Sequence, residues 1–219
     1  MRAFAHFLLD NRDCDRLYIL GDLFDAWIGD DDDSPIALEV TRLLTDFARA
    51  GPELFLMQGN RDFLLGERLC DAVGGQLLAD PTVIELLGEP TLLMHGDSLC
   101  TADTDYQAFR KKARDPRWQA EFLTQSLAER RDFATKLRGM SSEANSNKAE
   151  NIMDVSEEAV LQVMHAHHVK WLIHGHTHRP ACHDLATGTR WVLGDWDKQG
   201  WMIEASRGNL ELTSFNIIQ

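Results

Sequence analysis

Leu17-Tyr18-Ile19-Leu20-Gly21-Asp22-Leu23-Phe24-Asp25 sets the pattern for the whole chain: an apolar β-prone run, a glycine, then a carboxylate. A continuous apolar run of this length suits a strand covered on both faces. The same order recurs three times. Leu54-Phe55-Leu56-Met57 runs into Gly59-Asn60-Arg61-Asp62, and Thr91-Leu92-Leu93-Met94 into His95-Gly96-Asp97. Val169-Lys170-Trp171-Leu172-Ile173 runs into His174-Gly175-His176-Thr177-His178. Buried strands ending in polar residues predict a layered α/β or α+β fold whose site gathers at the C-terminal ends of the strands. Between the first two strands, residues 35–50 carry Leu38, Leu43, Leu44 and Phe47 and predict an amphipathic helix. Phe4, Phe7 and Leu8 stand at helical spacing before Asp10-Asn11, which predicts a short helix packed on a sheet.

A chain of 219 residues can bury one substantial core, so one domain with an insertion is expected. Hydrophobic residues at 44% and charged residues at 26% are ordinary for a globular protein. The net charge of -13 argues against a nucleic-acid partner, which calls for a basic balance. Cys14, Cys70, Cys100 and Cys182 have no metal-ribbon or redox spacing and read as reduced thiols. No apolar run reaches the ~18–20 residues that cross a bilayer, and the first residues lack the pattern of a signal peptide. A cytoplasmic protein is expected, with peripheral membrane contact left open.

Residues 106–138 differ from the rest. They hold nine basic side chains against four acidic ones, with Phe109, Trp118, Phe122, Leu123, Leu127, Phe133 and Leu137 interleaved at helical spacing. We expect an inserted helical cap over 103–154, flanked by a core formed from 1–102 and 155–219. An ordinary amphipathic helix pair with a solvated basic face is the alternative. The charge asymmetry favours a surface for an anionic lipid, a membrane or a phosphorylated substrate.

The strand-end residues suit a two-metal site that attacks phosphate, since hard divalent cations take N/O ligands. Asp22 is the natural bridging carboxylate. Asn60 offers an amide oxygen without adding negative charge near an anionic substrate. His95 and His176 supply imidazoles to the same cation and His178 serves the other, provided that the backbone twists through Thr177. Arg61 can meet a phosphate as a planar, permanently charged donor, or else pair with Asp62. Asp25 and Asp97 are expected to orient ligands, and His174 to be structural. His165, His167 and His168 carry no assigned role. Asp30-Asp31-Asp32-Asp33 reads as a solvated loop.

These pieces resemble the calcineurin-like metallophosphoesterase superfamily, an α+β fold built as a layered α/β/β/α sandwich. Longer strings resemble, within it, the family of UDP-2,3-diacylglucosamine diphosphatases. They are Leu17 to Phe24 with Ala26 to Asp31, Gly59-Asn60-Arg61-Asp62-Phe63-Leu64-Leu65-Gly66, and Met94 to Thr101 with Asp103 and Tyr106-Gln107-Ala108-Phe109-Arg110. Glu143-Ala144-Asn145-Ser146 with Lys148, Ile152-Met153-Asp154-Val155, and Trp171 to Pro180 complete them. The resemblance implies manganese-dependent hydrolysis of UDP-2,3-diacylglucosamine to UMP and 2,3-diacylglucosamine 1-phosphate (lipid X), within lipid A biosynthesis. It implies a protein lying peripherally on the cytoplasmic face of the inner membrane. One Mn2+ would be held by Asp22, Asn60, His95 and His176, which are also the candidate catalytic residues; the other would share Asp22 and take His178. Substrate contacts would come from Asn60, Arg61, Asp103, Ser141, Asn145, Lys148 and His176.

The family pattern opens with a strand ending in Asp-x-His, and no such motif precedes Asp22. The first of the two metal sites is therefore expected to be incomplete, keeping only Asp22 and His178. A start placed at an internal methionine is the expected reason; a shortened chain that binds without turnover is the other. Hydrolysis of a different nucleotide phosphoester is the alternative activity.

Overall fold

The computed structural model describes residues 1–146, Ile152 and 154–217, without the side chains of 141–146. The first half alternates helix and strand: α1 (Arg2–Asp10), β1 (Arg16–Leu20), α2 (Pro35–Arg49), β2 (Glu53–Met57), α3 (Glu67–Val73) and β3 (Gly75–Leu78). Its strands form a parallel sheet in the order β1-β2-β3. The second sheet takes β4 (Thr82–Leu86) and β5 (Glu89–Met94), then β6 (Trp171–His174), β7 (Ala181–Leu185) and β8 (Gly188–Val192), in the order β4-β5-β6-β8-β7. A hairpin of β9 (Gln199–Ser206) and β10 (Asn209–Asn216) ends the described chain.

Three apolar clusters fix the layers. Successive strand residues point to opposite faces, so one strand can feed two of them. Leu93 and Ile173 join Leu20, Met57 and Trp191 between the two sheets. Leu92, Met94 and Leu172 face the other way, against Val160 and Met164 of α7 (Glu157–Ala166). Leu54 and Leu56 turn toward α1, α2 and α3, where they meet Phe7, Leu44, Phe47 and Val73. The stack is helix, sheet, sheet, helix, an α+β sandwich. Full burial of leucines such as Leu44, Leu56, Leu92 and Leu172 means that truncating any one to alanine would cost about 2–5 kcal/mol.

Local chemistry explains the element ends. Ser34 Oγ accepts from Ala37 N, and Pro35 occupies the first turn, so α2 starts there. Its buried face is Ala37, Val40, Leu44 and Phe47, whereas Leu38 is 59% exposed. The expected use of Leu38 fails because it lies one residue, about 100° of helix, away from Ala37. Phe7 of α1 is buried and stacks on Phe215 of β10 at 5.5 Å, with Trp196 edge-on at 5.0 Å.

Between β5 and α7 lie α4 (Thr104–Ala113), α5 (Pro116–Leu123) and α6 (Leu127–Ser146). Their aromatic residues mostly pack inward: Phe122 is buried, and Phe109, Trp118, Phe133 and Leu137 pack against the helix-side cluster that includes Phe63. Leu123 and Met140 stay exposed. Much of the basic charge is also used internally. Arg130, only 2% exposed, reaches both oxygens of Asp31 and the carbonyl of Ile28, and Arg131 meets Asp32 and Asp33. The acidic run is thus a docking surface for α6 rather than a solvated loop. Asp30 within it accepts from Trp27 Nε1, Gly66 N and Leu69 N. No helix among the described residues is long and apolar enough to cross a membrane.

Candidate functional site

The loops that follow β1, β2, β5 and β6 meet at one end of the sandwich. The first two approach so closely that only glycine fits. A Cβ at Gly21 would lie 2.5 Å from Gly59 Cα, and one at Gly59 would lie 2.2 Å from Asp22 Oδ1. Asp62 binds the same loops together from below. Fully buried, its carboxylate accepts from the backbone N–H groups of Asp22, Leu23 and Gly59 at 2.6–3.1 Å, and from Phe24 at 3.4 Å. Burial and the neighbouring Asp22 raise its pKa to about 6. The expected alternative of an Arg61–Asp62 pair is not what forms. Arg61 Nη1 instead meets Asp25 at 2.9 Å, and its Nε lies 3.5 Å from Asp22.

Asp22, His176 and His178 all adopt positive φ, at 55°, 66° and 57°. That conformation disfavours residues with a Cβ by roughly 1–3 kcal/mol each and concentrates at functional sites. The sequence required a twist through Thr177; the structure places it at the two histidines on either side.

Asp22, His95 and His176 each offer a ligand atom, all within 4.8 Å of one another. Asn60 Oδ1 lies between the rings, 2.9 Å from His95 Nε2 and 2.8 Å from His176 Nδ1. The pairing of His95 matters most. Its Nδ1 is 2.8 Å from the carbonyl of Leu20, which fixes the proton there. Nε2 lies 2.9 Å from Asn60 Oδ1, 3.2 Å from Asn60 N and 3.7 Å from Asp22 Oδ1, so in the neutral ring its lone pair faces Asn60 N–H and two oxygens. With His95 neutral, Nε2, Asn60 Oδ1 and Asp22 Oδ1 turn toward one point, and their N/O character fits a hard or borderline divalent ion; without an ion, a proton on Nε2 can fill the same place. Burial works against protonation of His95, yet Asp22 and Asp97 outweigh it and raise its pKa. His176 moves the other way, down to about 4, through burial and the charge of His95. A neutral imidazole is what a metal needs.

His178 stands apart from this cluster. It is partly exposed, 3.7 Å from Asp195, with its pKa lowered by burial and by Arg61. Asp25 is mostly exposed and touches Arg61 and, at 3.4 Å, Arg138. His174 is buried and neutral, its pKa driven to about 3 by burial, with Nδ1 facing the Gly175 carbonyl. Asp97 is fully buried; the penalty of burial is overcome by His95 and Arg110, and its pKa falls to about 2. Asp103 caps α4 by accepting from Tyr106 N at 3.1 Å. The side chains of Ser141 and Asn145, and Lys148 as a whole, lie outside the described residues.

Asp22, Arg61, His95, His176, His178 and Asp195 line a cleft of about 1950 Å³. It continues along β1 and β9, each of which pairs with a single strand among the described residues. Sequence reasoning missed Asp62, Asp195, Tyr106 and Asp80, whose Oδ1 accepts from His95 N at 3.3 Å. Asp62 alone had a local signal, its place in the Gly-Asn-Arg-Asp turn. The others act across distances in sequence that no spacing reveals.

Comparison with known proteins agrees with this geometry. The model of the calcineurin-like phosphoesterase family matches residues 1–180. A UDP-2,3-diacylglucosamine hydrolase of Cellvibrio japonicus is 52% identical over 99% of this chain and 92% of its own length. One from Marinobacter nauticus is 50% identical over 94% of this chain and 86% of its own. Among solved structures, an archaeal phosphodiesterase superposes with a TM-score of 0.50 at 10% identity, covering 98% of this chain and 90% of that one, a likeness of fold. With a family model matching residues 1–180 and relatives 50–52% identical over 94–99% of it, the chain belongs to the calcineurin-like phosphoesterases and, within them, to the family of the UDP-2,3-diacylglucosamine hydrolases.

Proposed function

We propose that this chain hydrolyses the pyrophosphate of UDP-2,3-diacylglucosamine, in a manganese-dependent step of lipid A biosynthesis. The observation that carries the reading is the convergence of Asp22, Asn60, His95 and His176 beside Arg61 in the large cleft, in a chain half identical to hydrolases of that name. Water adds its oxygen to the phosphorus joined to uridine, the bond from that phosphorus to the bridging oxygen breaks, and UMP and 2,3-diacylglucosamine 1-phosphate leave.

Asp22, Asn60, His95 and His176 would hold one divalent ion, and Asp22 with His178 part of the shell of a second. When bound, such ions supply Lewis acidity and lower the pKa of the attacking water. The chain's own groups do the remaining work. Arg61, now paired with the exposed Asp25, can exchange that partner for a phosphate oxygen. His176, neutral and half-buried, keeps positive charge from accumulating where no anion is bound. Ser141 and Asn145 are proposed to meet sugar or amide groups of the substrate, Lys148 together with Arg61 its phosphate charge, and Asp103 to be a further substrate contact. We take 103–154 as a cap carried by a core of 1–102 and 155–219. Exposed Leu123, Met140, Lys111, Lys112 and Arg117 support peripheral contact with an anionic membrane face.

The test is UMP release from UDP-2,3-diacylglucosamine in manganese, with His95→Ala as control. Release abolished by the substitution is expected; none from the unaltered chain would overturn the reading. A second reading, hydrolysis of another nucleotide phosphoester, draws on the inward packing of most apolar residues of α4–α6. Equal turnover of UDP-glucose would favour it.

A further inference from the structure

Helix α4 is attached to the backs of the loops that carry the proposed ligands. Arg114 donates from Nη1 to Gln58 Oε1 at 2.6 Å and from Nη2 to the Gly59 carbonyl at 3.0 Å, just before Asn60. Arg110 Nε donates to Asp97 Oδ2 at 2.9 Å, and Gln107 Nε2 to the Asp97 carbonyl at 2.8 Å, just after His95. Tyr106 completes the set. Its hydroxyl donates to the same Asp97 Oδ2 at 2.5 Å, and its ring lies near-parallel to that of His176, with centroids 5.9 Å apart at 26°.

Among the described residues, His176 has few other supports. Its Nδ1 meets Asn60 Oδ1, the His95 ring stands edge-on at 5.1 Å, and its backbone is left-handed at φ 66°. A side chain on such a backbone gains nothing from a regular element around it. Its direction must be set by what it touches.

We propose that Tyr106 is a positioning residue that holds the His176 imidazole toward Asn60 and Asp22, so that α4 forms part of the metal site without supplying a ligand. The inference rests on the metal reading of the site given above. The ring itself sets the position of His176, and the bond of its hydroxyl to Asp97 is a secondary tether. Residues that orient a ligand from behind typically change metal affinity by about 10–100-fold when removed.

The test uses the full chain, freed of metal and titrated calorimetrically with manganese, as wild type, Tyr106→Leu and Tyr106→Phe. Tyr106→Leu is expected to bind at least about tenfold more weakly. Tyr106→Phe keeps the ring, and Arg110 still partners Asp97, so it should recover most of the loss. In the metal-free wild type, a nuclear Overhauser contact between the Tyr106 and His176 rings is expected, a readout independent of any variant's folding. Absence of that contact overturns the proposal, as does Tyr106→Phe losing as much affinity as Tyr106→Leu. Equal manganese affinity in wild type and Tyr106→Leu sinks this inference alone. No uptake by the wild type sinks the metal reading and this inference with it.

Discussion

A methyl group at Gly59 would lie 2.2 Å from Asp22 Oδ1 and 2.3 Å from Asp22 N, although the backbone there is not left-handed. Gly59→Ala therefore acts through space, not strain, and must push Asp22 out of place. We expect a stability loss of about 1–3 kcal/mol and manganese binding weakened at least about tenfold, read by calorimetry. Asp62→Ala tests the other side of the same contact. It leaves the N–H groups of Asp22, Leu23 and Gly59 without their acceptor, and urea unfolding should show a loss of about 3 kcal/mol or more. His174 gives a pH signature. Its folded pKa of about 3 lies below the ordinary value of 6.5, so the unfolded chain binds the extra proton below pH 6.5. Stability contributed by the neutral ring is full above that pH and falls on acidification, until the folded ring titrates near 3. His174→Gln should lessen the pH dependence of unfolding free energy between pH 6 and 4.5 by one proton, about 1.4 kcal/mol per pH unit. An unchanged slope would show that His174 is charged in the fold.

At the scale of elements, α6 is held by Arg130. Its guanidinium is nearly excluded from water and satisfies the Gln125 and Ile28 carbonyls as well as Asp31. Breaking a buried ion pair costs about 3–5 kcal/mol, and the partial exposure of Asp31 brings the expectation for Arg130→Ala nearer 2 kcal/mol. Because the contact joins α6 to one loop, the loss should be local. Amide exchange over residues 127–138 should speed up by more than tenfold, while β5 and β6 keep their protection. Uniform acceleration across both sheets would mean that α4–α6 and the sandwich unfold as one unit.

For the whole molecule, metal binding at the proposed site would be linked to folding, because its candidate ligands come from four loops that meet only in the native state. An ion at a hundred times its dissociation constant stabilises by about 2.7 kcal/mol. For a chain of this size that raises the melting temperature by roughly 5–10 °C. Manganese should produce this rise, EDTA should reverse it, and His95→Ala should abolish most of it in a thermal melt. A rise unaffected by His95→Ala would place the ion elsewhere.

The sequence by itself determined the repeated order of strand, glycine and polar strand-end residue, the family, and the residues that meet as Asp22, Asn60, His95 and His176. Strand runs and turn glycines are local chemistry, legible wherever they occur. It also placed the helices of 106–138, since their periodicity is local too. What it could not determine was which partners those helices would find. Arg130 reaches Asp31 and Tyr106 reaches His176 across long stretches of chain, so a run that reads as solvated acid becomes a dock, and basic residues that read as a surface turn inward. The same limit hid Asp62, whose carboxylate serves backbone N–H groups some forty residues away. A side chain's direction is decided by the neighbours that the fold brings to it, and those neighbours exist only once the sheets have packed.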